Sequence, residues 1–470
     1  FVTGVCTATT LSGAASGLTG ALPAISGANL TNLPAANLTG ALPAISGANL
    51  TGIAATDNVR TGILDVSGIS TFRNTMNVGA AVTISESGIE ATGVGITVAN
   101  INGGQVGGRR NIVINGKAQI NQRGDSTGNT SGGYYGPDRF ETAIYGGTYS
   151  HSAASSGSTL PEFPKCFRID CTSAASAPSG TNETKIKYHM EGQDVQHLQY
   201  GTSSAKTTTL SFYVRSNKTE TYTVWFYRPD GSRMNAVNFS VSAANTWEKK
   251  VITIVGDTTS AIDNDNTMGY KFEWVLATGS SYTSGSALNG TWGALNSANR
   301  YVGNTGTFGQ STDDYFDLTG VQYEVGSQAT EFEHRSFGDE LRLCHRYFHS
   351  VINQGWSTAG YNGSYLALGV YLGGSKMAGY WYHPVPMRAN PTLVQGTATN
   401  GWNIYRANGG DQFNDLGSII TNSAALHGKE FTLTEVQSNV SSTGGYAGII
   451  SVSSDDAWVQ FSAELFPHSF

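Results

Sequence analysis

The sequence predicts an all-β chain: a fibrous repeat shaft, then a jelly-roll β-sandwich, then a C-terminal β-sandwich tip, with the shaft built from several intertwined chains. Three observations predict it. The 14-residue string LTGALPAISGANLT stands twice, at Leu18–Thr31 and Leu38–Thr51. Charged residues make up only 13% of the chain, while 59 residues are glycine and 10% are aromatic, enough rings to fill cores between many turns. From residue 111 onward, short alternating apolar runs recur between Gly, Ser and Asn turns, the pattern of half-buried strands.

The shaft comes first, over residues 1–108. Each repeat unit offers only Leu18, Leu22, Ile25 and Leu30 among small polar residues, too little to bury a core alone, so it needs neighbouring chains. A flexible linker would have no need of leucine at a fixed period. Short Val and Ile runs with glycine corners continue from Gly62 to Gly103. The chain opens on Phe1 rather than Met, so an anchoring segment is expected to precede it.

Residues 109–335 form the expected jelly roll. Ile112, Val113 and Ile114 read as a buried strand before an Asn115-Gly116 turn. Strand-like runs follow at 165–173, 184–192, 206–216, 221–229, 247–256, 269–279 and 313–326, and 280–309, carrying Trp292, reads as loop. A short helix over Gly338–Phe348 is expected within a linker at 336–349, packing one stripe and turning Asp339, Glu340 and Arg342 outward. Residues 350–470 complete the chain as successive strands with polar turns. The end of the chain soon after the last of them is read as the free tip of the fibre.

Composition also excludes partners. A net charge of −7 without basic clusters argues against nucleic acid, and no apolar run is long enough to insert in a membrane. Cys6, Cys166, Cys171 and Cys344 have neither metal-ligand nor disulfide-framework spacing, so free thiols and assembly in a reducing host cytoplasm are expected.

Two stretches carry a resemblance. NIVINGKAQINQR (Asn111–Arg123) with Asp138-Arg139-Phe140 resembles the opening motif of many bacteriophage tail-fibre proteins. LTGVQYEVGSQATEFEHRSFGDELRLCHRYF (Leu318–Phe348) resembles the segment closing the same domain, with Glu331 where the family usually has Pro. The resemblance implies a virion tail fibre assembled as a homotrimer with two further copies of itself. It also implies a jelly roll similar to carbohydrate-binding modules, and attachment through the N-terminal side to a tail adaptor or baseplate protein.

Function is then read from residue chemistry. Glycoside hydrolysis needs two carboxylates held across the scissile bond. The densest acidic cluster, Asp313, Asp314 and Asp317, falls in the closing strand, with Asp313 and Asp317 on one face. It is read as structural, with Ca²⁺ as the one cofactor considered there. His345 and His349, four apart on the expected helix, are read as a packed or solvated pair, since no Glu completes a metalloprotease motif.

Recognition remains. Sugars offer C–H faces to aromatic rings and hydroxyls to Asp, Asn and Arg, and the tip is rich in both. Tyr380 and Tyr382 are read as core, whereas Trp356, Tyr361, Trp402, Tyr405, Asp411 and Asn414 are the receptor-binding candidates, several beside Gly/Asn turns that can expose them. The reading is a non-catalytic attachment protein acting outside the host cell on a surface glycan, with lipopolysaccharide foremost. A polysaccharide depolymerase and a purely structural fibre connector are the alternatives.

Overall fold

A computed structural model describes residues 76–78, 82–85, 88–91, 109–352, 364–395, 402–406, 412–416, 428–442, 444–452 and 458–465; for the strands before residue 92 and for 352, 364–367, 371–376, 395, 402–406, 412–416, 432–442 and 451–452 it describes the backbone alone. The chain divides at Gly95/Ile96 into two units. The repeat at Leu18–Thr51 lies outside the described residues. In the first unit β1 (Met76–Val78), β2 (Val82–Ser85) and β3 (Gly88–Ala91) form an antiparallel meander.

The second unit is all-β apart from one α-helix and three 3-10 turns among its described residues. Its first part comprises β4 (Ser126–Asn129), β5 (Phe140–Ala143), β6 (Thr148–Ser155), β7 (Lys165–Ser173), β8 (Glu183–Glu191), β9 (Thr208–Ser216), β10 (Thr221–Arg228), β11 (Arg233–Ser240), β12 (Glu248–Ile254), β13 (Met268–Thr278), β14 (Gly293–Ala294) and β15 (Tyr315–Val325). These pair in two antiparallel sheets, ordered β14-β11-β10-β13-β8-β5 and β12-β9-β15-β7-β6-β4. The chain passes repeatedly from one sheet to the other, as a jelly roll does.

Alternation along each strand explains the sandwich. On β13, Tyr270, Phe272, Trp274 and Leu276 face the common core, while Lys271 and Glu273 lie on the other side and pair with each other. On β15 the period is broken once: Phe316 and Leu318 face inward, then Val321 and Tyr323. Gly320 absorbs the extra residue at φ +59, and a Cβ there would lie 2.9 Å from the Phe163 and Tyr213 rings.

Residues 112–114 are not the expected strand. Their amides are satisfied one by one instead: Ile112 donates to the Tyr323 carbonyl, Val113 to the Asn111 side chain and Ile114 to the Tyr188 hydroxyl. Asn115 then turns the chain at φ +61. Gly116 sits so close to β15 that a Cβ would fall 2.1 Å from the Val321 carbonyl oxygen.

Helix α1 (Phe337–His345) is capped by Ser336, whose hydroxyl accepts from the Asp339 amide at 3.2 Å. It is shorter than expected, because Arg346 and Tyr347 are pulled to Glu191 and Phe348 already begins the next strand. Glu340, expected outward, is buried: its carboxylate accepts from the Asn115 amide at 2.5 Å and from Arg335 at 3.3 Å. Cys344 and Tyr347 pack with Ile114, Ile120, Met268 and Leu465.

The remaining strands are β16 (Phe348–Ile352), β17 (Ser364–Tyr382), β18 (Thr392–Gln395), β19 (Trp402–Arg406), β20 (Gln412–Leu416), β21 (Phe431–Ser442), β22 (Ala447–Val452) and β23 (Val459–Ser462). They form a three-stranded sheet, β16-β23-β18, and a five-stranded sheet, β20-β19-β22-β17-β21. The two sheets meet where Trp381 and His383 pack on Phe461, with ring centroids 6.1 and 4.8 Å apart.

Candidate functional site

Because Trp381 turns toward Phe461, its neighbours on β17 must turn away. Tyr380 is 53% and Tyr382 77% exposed, and Phe431, opposite Tyr382 on β21, is 40% exposed. The core position expected for the two tyrosines is therefore incorrect. A Tyr-Trp-Tyr run on a strand can bury only one parity unless both faces are covered, and here the single Trp wins. Phe431 lies 5.9 Å from Tyr380 and 6.4 Å from Tyr382 between ring centroids, giving a three-ring aromatic face on the outside of the five-stranded sheet. Leu368 and Val370 stand exposed on the same strand.

The other receptor-binding candidates fall differently. Trp356, Tyr361 and Asp411 lie outside the described residues. Trp402 and Tyr405 are on β19, opposite Val452 and Ile449 of β22, and Asn414 is on β20 opposite Asn403. Trp402 thus opens a strand flanked by neighbours on both sides.

The acidic cluster does not converge. The strand begins only at Tyr315, so Asp313 and Asp314 belong to the preceding turn. Asp317 is clasped by two arginines: Arg168 Nε and Nη2 donate at 2.7 and 2.8 Å, and Arg215 Nε at 2.8 Å. These bonds raise the pKa of Arg168. Asp314 takes the amides of Gly309 and Ser311 and the Lys218 ammonium, at 2.9, 3.2 and 2.8 Å. Both Asp317 oxygens and Asp314 Oδ2 are held by cations or amides, while Asp314 Oδ1 is buried without a hydrogen-bond partner.

His345 ends α1 and His349 lies on β16, so the pair does not share a helix face. The rings still meet, 5.3 Å apart, and His383 stands 5.9 Å beyond His349. Burial, reinforced by the neighbouring imidazoles, pulls the His349 pKa down to about 3, so this ring is neutral at physiological pH. Among the described residues, no group of three His, Cys, Asp or Glu side chains has the geometry to hold a metal.

A cleft of about 270 Å³ opens where the jelly roll meets the three-stranded sheet. Turn residues Arg123, Asp125, Tyr134 and Tyr135 supply one wall, and Phe348 and Gln460 the other. Arg123 is fixed with its guanidinium 3.5 Å over the Phe348 ring and 3.2 Å from Glu464. Nothing in the sequence pointed to this cleft, since its walls are more than 200 residues apart in the chain.

Compared with known proteins, the chain matches no family model and no curated protein. Among solved structures it is similar to the enzymatically active domain of bacteriophage CBA120 tailspike protein 4, at 11% identity and a TM-score of 0.23, covering 46% of this chain and 21% of that one. It is likewise similar to the CBM22-1 xylan-binding domain of Xyn10C from Paenibacillus barcinonensis, at 9% identity and a TM-score of 0.23, covering 49% of this chain and all of that one. The N-terminal cellulose-binding domain of a Cellulomonas fimi β-1,4-glucanase is similar at 9% identity and a TM-score of 0.18, covering 35% and 80%. At these scores nothing about a ligand passes from them to this chain.

Proposed function

We propose that this chain is the distal part of a bacteriophage tail fibre, a homotrimeric and non-catalytic receptor-binding protein that attaches the virion to a glycan on the host surface, with lipopolysaccharide as the first candidate. The observation that carries the reading is the outward aromatic face of Tyr380, Tyr382 and Phe431. Rings left in water on an ordered sheet are surfaces awaiting a partner, and flat rings suit the C–H faces of sugars. Trp356, Tyr361, Trp402, Tyr405, Asp411 and Asn414 are further candidates in the same part of the chain.

The leucine repeat supports a shaft shared by several chains; the number three, and the adaptor or baseplate protein on the N-terminal side, are what the tail-fibre resemblance implies. Three tips per fibre multiply a weak single-site affinity. The arginine-bound Asp317 supports a role without hydrolysis.

Purified protein should sediment as a trimer and bind host cells, and periodate oxidation of surface sugars should abolish that binding. Tyr382→Ala with Phe431→Ala should weaken binding at least tenfold with little change in melting temperature, because both side chains are exposed. Exposed Leu368 and Val370 favour a second reading, in which another fibre protein covers this face. That reading requires purified trimer that does not bind cells at all.

A further inference from the structure

We propose that the cleft between the jelly roll and the β16-β23-β18 sheet is a separate saccharide site that takes one neutral pyranose unit. The proposal rests on the glycan-binding reading for its ligand class only. At about 270 Å³ the cleft lies just under the ~300–1,000 Å³ of sites for drug-sized ligands. That suits a single six-membered ring and excludes a folded peptide.

The polar groups that line it are left incomplete. Gln460 is only 7% exposed, yet its side-chain amide makes no hydrogen bond among the described residues, although it carries two donors and an acceptor. Arg123 lines the cleft with a side chain 12% exposed, its Nη1 buried 3.6 Å from Asp138 and its Nη2 3.2 Å from Glu464. On the rim, one Asp125 oxygen accepts from Asn121 at 2.8 Å and from the Ala153 amide at 2.9 Å, which leaves the other oxygen for a ligand. Tyr135 packs one side against His151 at 5.0 Å, and its hydroxyl has no partner among the described residues.

Together these groups match a sugar ring: an aromatic wall for the C–H face, a carboxylate and an amide for adjacent hydroxyls, and a fixed guanidinium for a ring or exocyclic oxygen. The charge balance selects a neutral unit. Arg123 is already matched by Asp138 and Glu464, so a carboxylate or phosphate on the ligand would meet Asp125 unopposed. Gly124, at φ +76 and with open space where a Cβ would project, keeps the entrance clear.

The test is saturation-transfer NMR on the full chain with the methyl glycosides of glucose, galactose, mannose, rhamnose and N-acetylglucosamine. At least one should receive saturation with millimolar affinity. With the outer aromatic face removed by Tyr382→Ala and Phe431→Ala, the transfer that remains should weaken about tenfold or more in Gln460→Leu and in Asp125→Ala. Asp125 is exposed, so its variant reports binding even where Gln460→Leu lowers the melting temperature. The site is overturned when no glycoside receives saturation, or when transfer survives both substitutions. Cell attachment is scored separately: loss of saturation with intact, periodate-sensitive attachment removes this cleft and leaves the function proposed above standing, and the converse result does the opposite.

Discussion

Arg139 and Glu464, 325 residues apart in the chain, form an ion pair closed to water on both sides. Arg139 also lies 3.4 Å over the Tyr347 ring and donates to the His189 carbonyl at 2.8 Å. Its place in Asp138-Arg139-Phe140, at the start of the jelly roll, thus locks to the Tyr347-Phe348 end of the closing motif and to the last described strand's exit. Replacing Arg139 by Ala leaves the buried Glu464 carboxylate with Arg123 as its remaining cationic partner, so stability should fall by about 3 kcal/mol. Chemical denaturation measures this, and the double change Arg139→Met with Glu464→Leu should recover much of the loss.

Two stretches of similar motif prove to be one structural unit. The Asn111 side chain donates to the Val321 carbonyl at 3.1 Å and accepts from the Tyr323 amide at 3.1 Å, while Arg335 bonds the Asn111 carbonyl. Gly116→Ala would drive a methyl group into the Val321 carbonyl, an obstacle of backbone that cannot swing aside. A loss of about 1–3 kcal/mol is expected, read as a lower denaturation midpoint at constant slope.

Asp317→Asn separates the structural from the catalytic account. It removes the charge from a carboxylate shared by Arg168 and Arg215, both partly solvated, so a cost of about 2–3 kcal/mol is expected. Release of oligosaccharide from host envelope should be nil in both the parent and the variant. Release by the parent that vanishes in the variant would establish the depolymerase alternative.

Acidification should unfold the jelly roll and the C-terminal sheets together. Burial holds His151 near pKa 4 and His349 near 3, and pushes His189 well below the usual range. Each folded pKa lies below the unfolded value of about 6.5. The unfolded state therefore binds more protons across that window, and stability present above pH 6.5 drains away as pH falls toward 4. The slope is up to about 1.4 kcal/mol per pH unit for each histidine. Asp138 acts in the opposite sense: burial raises it to about 6, so its contribution is full below pH 3.8 and lost as pH rises through 6. Burial also raises Glu141, Asp170, Asp194 and Asp230, while His197, His345, Asp257 and Glu273 are lowered and act with the three histidines, so melting temperature should drop between pH 7 and 4. In His349→Phe the drop should be smaller.

Strands rich in large or β-branched residues were legible in the sequence. Lys165–Ser173 stands as read, and 221–229, 247–256 and 269–279 shift by no more than two residues at either end. Strands built from small polar residues were not: TYSHSAAS of β6 and RMNAVNFS of β11 carry little apolar periodicity and are strands because neighbours on both sides bond them. The sheets override local preference there.

The sequence by itself determined the all-β class, the jelly-roll strands and the glycines at tight turns, because side-chain alternation and backbone sterics act over a few residues. Tertiary structure alone decided which face of Tyr380-Trp381-Tyr382 meets water, why Glu340 is buried, and how Arg123 and Gln460 come to share a cleft. Those outcomes depend on what packs against a strand from hundreds of residues away, and no local pattern encodes that neighbour.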